Sequence, residues 1–297
     1  MDVDTAMTYL DFVVERHRVW DARQVGAPQP WTDDPVLRTR KFTNVYRVLD
    51  PGSQFVLTDL CTSGDERDVL FRVFLYRYTN EPITWRHMAM EMGRYPRASD
   101  EPREVVEVLQ QYRDAGNRVF SGAYVILPQP NRPGDKIEQA VHLAYRWMAN
   151  HATDFLLADT QQERFDILRS EYGVGPFLAM QILTDWGYTP QCGEDREHEF
   201  VIPGPGCIKG AKAIAPSAPV MDTLLWCHRE VNNLEGMPAL RLPDLDGRVR
   251  RPSLMDVQNT LCEFSKYVRG PRAGEYVPAH PGPQPAPVLP SHWADSQ

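Results

Sequence analysis

Apolar residues recur at helical spacing along most of the chain. Between Pro102 and Tyr112, the residues Val105, Val106, Val108, Leu109 and Tyr112 fall on one helical face. The series Ile137, Ala140, Val141, Ala144, Trp147, Met148 keeps the same rhythm over a longer run. The spacing predicts further helices over Thr5 to Trp20, Asp65 to Tyr78, Gln161 to Glu171, Pro176 to Trp186, Met221 to Val231 and Ser253 to Val268. Period-two alternation is confined to Phe55 to Leu57 and Phe200 to Ile202, which read as short strands. No repeat of solenoid length is visible. The pattern therefore predicts a mainly α fold. After Arg269 it stops. The prolines of PRAGEYVPAHPGPQPAPVLPSHWADSQ offer no N–H to a helix or sheet, and its few apolar residues cannot build a core. A helical domain over 1–270 followed by a disordered Pro-rich tail over 271–297 is expected.

Composition narrows the class. A chain of 297 residues can bury one substantial core, or one core plus a small satellite, without a disulfide or a metal. Its five cysteines, Cys61, Cys192, Cys207, Cys227 and Cys262, are an odd number with no CxxC spacing, so neither a disulfide framework nor a zinc site is expected. No metal and no other cofactor is implied. The N-terminus is acidic and lacks the flank and apolar run of a signal peptide, and no segment reaches the roughly 20 apolar residues of a membrane span. A cytoplasmic protein with no membrane partner is expected. The net charge of −8 argues against a nucleic-acid partner only as a sum, because only the surface that meets phosphate has to be positive. Basic residues gather in five groups: Arg16, Arg18, Arg23; Arg38, Arg40, Lys41, Arg47; Lys209, Lys212; Arg248, Arg250, Arg251; and Lys266, Arg269, Arg272. Each alone reads as solvated surface charge, and together they keep DNA binding open.

Two glycine-bearing segments carry the most specific chemistry. In SEYGVGPFLAMQILTDW, Ser170 to Trp186, the residues Gly173 and Gly175 form a tight turn directly before an apolar helix. This is the form of a helix-hairpin-helix, whose second helix can offer backbone N–H groups to a DNA phosphate; an ordinary close turn is the alternative. In EFVIPGPGCIKGAKAI, Glu199 to Ile214, a Pro203-Gly204-Pro205-Gly206 turn precedes Lys209 and Lys212. Rigid turn, open backbone and positive charge are the ingredients of a phosphate cradle; a rigid surface loop is the alternative. The segment does not fit GxxxxGK[ST], so a P-loop kinase is rejected.

Five blocks in order, RKFTNVYRVLDPGSQFV (Arg40 to Val56), LFRVFLYRYTNEPITW (Leu70 to Trp85), GVGPFLAMQILTD, EFVIPGPGCIKGAKAI and DVQNTLCEFSKYVRG (Asp256 to Gly270), resemble the bacteriophage thymine-hypermodification enzymes called alpha-glutamyl/putrescinyl thymine pyrophosphorylases or amino acid:DNA transferases. Those enzymes are similar in fold to helix-hairpin-helix DNA glycosylases and share a helical domain with phage kinases of 5-hydroxymethyluracil in DNA. With no kinase motif here, the resemblance points to the transferase branch.

The resemblance implies an enzyme that replaces the phosphate, or pyrophosphate, of 5-phosphomethyluracil in double-stranded phage DNA with a small amine or amino acid, a step that protects viral DNA from host restriction. A DNA glycosylase, or a non-catalytic DNA-binding or kinase-accessory domain, are the alternative functions. On that reaction, Lys209 with Gly204, Gly206, Lys41 and Arg47 would hold the leaving phosphate. Tyr46, Tyr76, Phe71 or Trp85 would stack the flipped base, and Asn44 or Gln54 would hydrogen-bond it, although aromatics at helical spacing also read as core. Asp185 and Glu199 are the base candidates for deprotonating the amine. Lys266 and Tyr267 share the last block with Cys262, a thiol that could add to the pyrimidine ring or be a small buried residue. Gly173, Gly175 and Arg40 would contact DNA. Phe177 stands where related hairpins carry a lysine, which excludes a Schiff-base lyase at that position.

Overall fold

Three helices begin in reciprocal caps that the sequence spells out: Asp135 with Glu138, Thr160 with Glu163, and Ser253 with Asp256 each satisfy two backbone N–H groups at a helix start. Proline opens six more, where its missing N–H costs nothing. The computed structural model describes residues 1–122, 132–237, 239–241, 249–274, 276 and 285–294. Among these, the helices in chain order are α1 (Val3–Gln24), α2 (Pro35–Thr39), α3 (Pro51–Phe55), α4 (Glu66–Thr79), α5 (Pro82–Glu91), α6 (Pro102–Asp114), α7 (Lys136–Leu157), α8 (Gln161–Ser170), α9 (Pro176–Tyr188), α10 (Pro205–Ile214), α11 (Val220–Asn233) and α12 (Leu254–Tyr267). One antiparallel pair, β1 (Leu240–Arg241) with β2 (Val249–Arg250), sets Leu240 opposite Arg250. The fold is mainly α, as the periodicity predicts.

The strand expectations fail. Phe55 closes α3, and Val56 to Leu57 continue into a π turn over Val56–Leu60, so a short apolar run that alternates by chance is helical. Phe200 to Ile202 joins no sheet. The expected glycine-rich loop of 203–212 is also different: Gly204 caps α10, Pro205 is its first residue, and Gly206, Lys209, Gly210 and Lys212 lie within the helix.

The chain divides into two compact units, Met1–Asp50 with Glu197–Leu289, and Pro51–Arg196 with Pro290–Gln297. In the second unit α4 is the central helix, buried on every side from Asp68 to Thr79, and α7 and α9 pack against it. Two arginines lie inside that helix. Arg72 is satisfied by the carbonyls of Pro96 (2.8 Å), Leu60 (3.1 Å) and Ser63 (2.5 Å), and Arg77 by Asp185 and Asn80.

In the first unit α10 lies directly against α12. A Cβ added to Gly210 would stand 2.0 Å from the Leu261 carbonyl oxygen, and one added to Gly206 would stand 2.2 Å from Cys262 Sγ. The two glycines, four residues apart, form a smooth stripe that lets the backbones meet, which a sequence reading aimed at phosphate does not register.

The tail is not wholly outside the fold. Trp293, in a 3-10 turn over Ser291–Ala294, is buried and meets the Tyr188 ring edge-on at 5.9 Å within the second unit. Proline content forbids regular structure but not the docking of one large ring. Trp293→Ala is expected to destabilise this unit by about 3 kcal/mol in urea unfolding. An unchanged midpoint would make the ring an ornament of the surface.

Candidate nucleic-acid interface

The first and last of the five blocks, more than two hundred positions apart, meet in the first unit. Loop 42–50 is clamped between α1 and α12 by buried polar groups. Arg16 on α1 donates to the Thr43 carbonyl (2.9 Å) and to Asn44 Oδ1 (2.6 Å). Asn44 Nδ2 donates to the Leu49 carbonyl at 2.7 Å, and the Asn44 N–H donates to Asp50 at 2.8 Å. From α12, Asn259 donates to Thr43 Oγ1 and to the Asn44 carbonyl, both at 3.1 Å. Glu263 accepts the Thr43 N–H at 3.1 Å, and Asp256 accepts the Arg47 N–H at 2.7 Å. The Tyr46 hydroxyl donates to the Arg250 carbonyl (2.9 Å) and accepts the Leu240 N–H (3.3 Å), tying the loop to β1 and β2.

These bonds decide what several predicted site residues do. Asn44 and Tyr46 are buried with their polar atoms bonded to protein, so neither is placed to read a base. Arg47 is buried as well. Lys266 is half-buried and paired with Glu263 at 2.5 Å. Arg16, counted by sequence as a surface charge, is an internal strut. Burial pulls its guanidinium down to about 10, with the Asp50 charge acting in the opposite sense.

Burial likewise pushes the Asp50 carboxyl up to about 6, against the charge of Arg47, the Asn44 N–H and the charge of Arg16, and with the help of Glu263. A raised carboxyl means that the folded state holds the proton where the unfolded chain has released it. Stability from this group is therefore present at about pH 4 and is lost as pH rises through 6. Relative to Asp50→Asn, which keeps the Oδ1 acceptor, the wild type should lose on the order of 2 kcal/mol between pH 4 and pH 7. Parallel pH profiles of the two proteins in chemical denaturation would remove Asp50 from this role.

At the outer rim of the clamp, two sequence-distant basic groups become one. Asp34 caps α2 by accepting from the N–H groups of Val36 and Leu37, and the helix ends where Arg40 turns extended. The chain leaving α12 then runs back beside it. Arg40 Nε donates to the Gly270 carbonyl (2.5 Å), Arg269 Nε to the Ser265 carbonyl (3.2 Å), the Arg272 N–H to Thr39 Oγ1 (2.9 Å) and the Tyr276 N–H to the Arg38 carbonyl (2.7 Å). Lys41, Arg269 and Arg272 are exposed. Among the described residues, none of Arg40, Lys41, Arg269 and Arg272 is ion-paired. The Arg40 guanidinium is held below the usual arginine range by desolvation and then by the charges of Arg272 and Arg269. Carbonyls at the C-terminal end of α12 hold Arg40 and Arg269 in place, with the favourable sign of the helix dipole, without neutralising them. The result on an acidic chain is a concentrated positive patch suited to a phosphate polymer.

The other basic groups do not form such a patch. Arg18 faces Glu15 at 3.7 Å, Arg250 is buried against Glu197 at 2.6 Å, and Lys212 donates to the carbonyls of Pro216 and Ala218, both at 2.9 Å. Arg248 lies outside the described residues. Lys209 is exposed on α10, Glu199 is exposed before Val201, and Gly204 and Gly206 serve the start of α10 and its contact with α12.

The remaining predicted residues belong to the second unit. Asp185 is fully buried, ion-paired with Arg77 and accepting from Ser53 Oγ at 3.0 Å, which makes it a counter-ion of the core. Tyr76 packs between Phe55 and Trp85, Phe71 and Trp85 are core, and Gln54 is half-buried on α3. Gly173, at φ +113, and Gly175 lie in the turn between α8 and α9. The residues assigned by sequence to one site thus divide between two units.

Over residues 4–274 the chain matches the family model described as 5-hmdU DNA kinase, helical domain. The chain belongs to this family. It is also 28% identical over 240 residues to the 5-hmdU DNA kinase of Bacillus phage SP10, an alignment covering 72% of this chain and 37% of that protein. The chain therefore spans little more than a third of that relative's length. No solved structure matches. These findings place the chain in the phage thymidine-hypermodification group and overturn the transferase reading, because both the family model and the relative are described as 5-hmdU DNA kinase, which phosphorylates rather than transfers an amine. The amine co-substrate, the phosphomethyl substrate and the leaving-phosphate roles of Lys209, Lys41 and Arg47 lose their basis with it. No helix among the described residues is long and apolar enough to cross a membrane.

Proposed function

We propose that this chain is a DNA-binding helical domain that holds 5-hydroxymethyluracil-bearing duplex for a phosphoryl-transfer activity housed in a separate part of the system. The observation that carries the reading is the convergence of Arg40, Lys41, Arg269 and Arg272, of which Arg40 and Arg269 are anchored by carbonyls and all four are left without carboxylate partners among the described residues. Two features support dividing the labour in this way. Most of the related phage kinase lies outside the alignment, and GxxxxGK[ST] does not occur in this sequence. The α8–α9 pair is read as a helix-hairpin-helix, a second element able to meet a nucleic acid. The chain's role in this reading is positioning, by phosphate contacts that fix orientation without reading sequence.

The direct experiment is fluorescence anisotropy of a labelled duplex containing 5-hydroxymethyluracil. Saturable binding that weakens with added salt is expected, while binding that ignores salt would point to a partner other than phosphate.

A further inference from the structure

The turn between α8 and α9 presents an exposed aromatic ring on a backbone held from below. Glu171 is fixed by Arg146 (3.0 Å), Arg132 (3.6 Å) and His151 (3.6 Å), its neighbours in the second unit. The Gly173 carbonyl accepts from the buried Tyr78 hydroxyl at 3.0 Å, the Val174 side chain is buried, and the Val174 N–H closes the turn on the Glu171 carbonyl at 3.2 Å. At the centre of this anchored turn, Tyr172 is 71% exposed. The Arg132 guanidinium lies 5.5 Å from the Tyr172 ring centre. Phe177, at the second position of α9, is 49% exposed, and space beside Gly175 is open.

A large ring held outward on a rigid support is costly in water and loses little freedom when something stacks on it. The charge around it selects the occupant. Arg132 and Arg146 share the single carboxylate of Glu171. An aromatic face bordered by surplus guanidinium charge suits a flat, π-faced group linked to phosphate. We propose that this turn is a stacking platform for an unpaired nucleobase, with Tyr172 as the stacking ring and Arg132 and Arg146 beside the adjoining phosphates. The proposal rests on the DNA-binding reading and adds a preference that the basic patch of the first unit does not supply, since phosphate contacts alone do not distinguish a paired from an unpaired base.

The test uses the full chain with a labelled single strand, the matching duplex, and a single strand carrying 2-aminopurine. Wild type should bind the single strand and change the 2-aminopurine emission on binding. Tyr172→Ala should weaken single-strand binding about tenfold, abolish the emission change and leave the salt slope as it was, while Tyr172→Trp should retain both signals. The matching duplex should be affected far less. Tyr172 is exposed, so a thermal melt should show both variants folded. Unchanged single-strand affinity in Tyr172→Ala, or equal losses for strand and duplex, would overturn the platform while leaving DNA binding by the chain intact. Failure of the wild type to bind either DNA would overturn the DNA-binding reading and the platform together.

Discussion

Gly210→Ala is expected to lower the stability of the first unit by about 3 kcal/mol or to prevent its folding, although one methyl group is all that is added. The new Cβ would stand 2.0 Å from the Leu261 carbonyl oxygen, 2.8 Å from its carbon and 3.3 Å from its Cα. All three are backbone atoms of α12, so no rotamer change relieves the clash and the two helices must separate. Separation would propagate, because α12 also carries Asp256, Asn259 and Glu263, the groups that clamp loop 42–50. The neighbouring glycines set the scale. An alanine Cβ at Gly206 would meet first the side-chain Sγ of Cys262, at 2.2 Å, and then its Cβ at 3.2 Å, so part of the strain can be relieved by movement of the thiol. At Gly204 it would meet only Gln258 Nε2 at 3.4 Å. The expected order of destabilisation in urea unfolding is Gly210, then Gly206, then Gly204. A Gly210→Ala protein with wild-type stability would show that α10 and α12 are not packed this closely.

The sequence makes the helices plain and the site obscure, for physical reasons visible in particular residues. Ile137 to Met148 states its buried face in its spacing, and Asp135, Thr160 and Ser253 announce helix starts, because these signals act within a few residues. The role of Gly206 and Gly210 depends on a partner helix about fifty positions away, so the same glycines read equally well as an open loop. Tyr46 and Tyr76 are as compatible with a base pocket as with a core until their burial is known. Asp185 looks like an available carboxylate because Arg77, its counter-ion, lies far away in sequence. Arg38 to Lys41 and Lys266 to Arg272 are both visible as basic groups, but their merger is a property of the fold. The hint in the sequence is that Arg40 and Lys41 open the first recognisable block, and that Lys266 and Arg269 close the last, at the end of a predicted helix.

The second large effect follows from that merger. Lys41, Arg269 and Arg272 are exposed, so replacing all three by glutamine removes charge without touching the buried clamp. At about 0.1 M salt each phosphate contact contributes close to a factor of ten through counterion release, so the triple variant should bind duplex DNA about 10²- to 10³-fold more weakly than wild type. The weakening should be nearly independent of base sequence and of the hydroxymethyl group, since these cations meet the backbone. A matching change of Lys209 and Lys212, which lie on α10, should cost far less.

The most direct measurement is the dependence of log K on log salt concentration for wild type and for the Lys41, Arg269, Arg272 triple variant, with equal thermal melts as the folding control. The patch predicts a steep negative slope for wild type that becomes shallower in the variant by roughly 2.7, about 0.9 for each phosphate that the variant no longer neutralises. Equal slopes in the two proteins would contradict it and place the DNA-facing surface of this chain elsewhere.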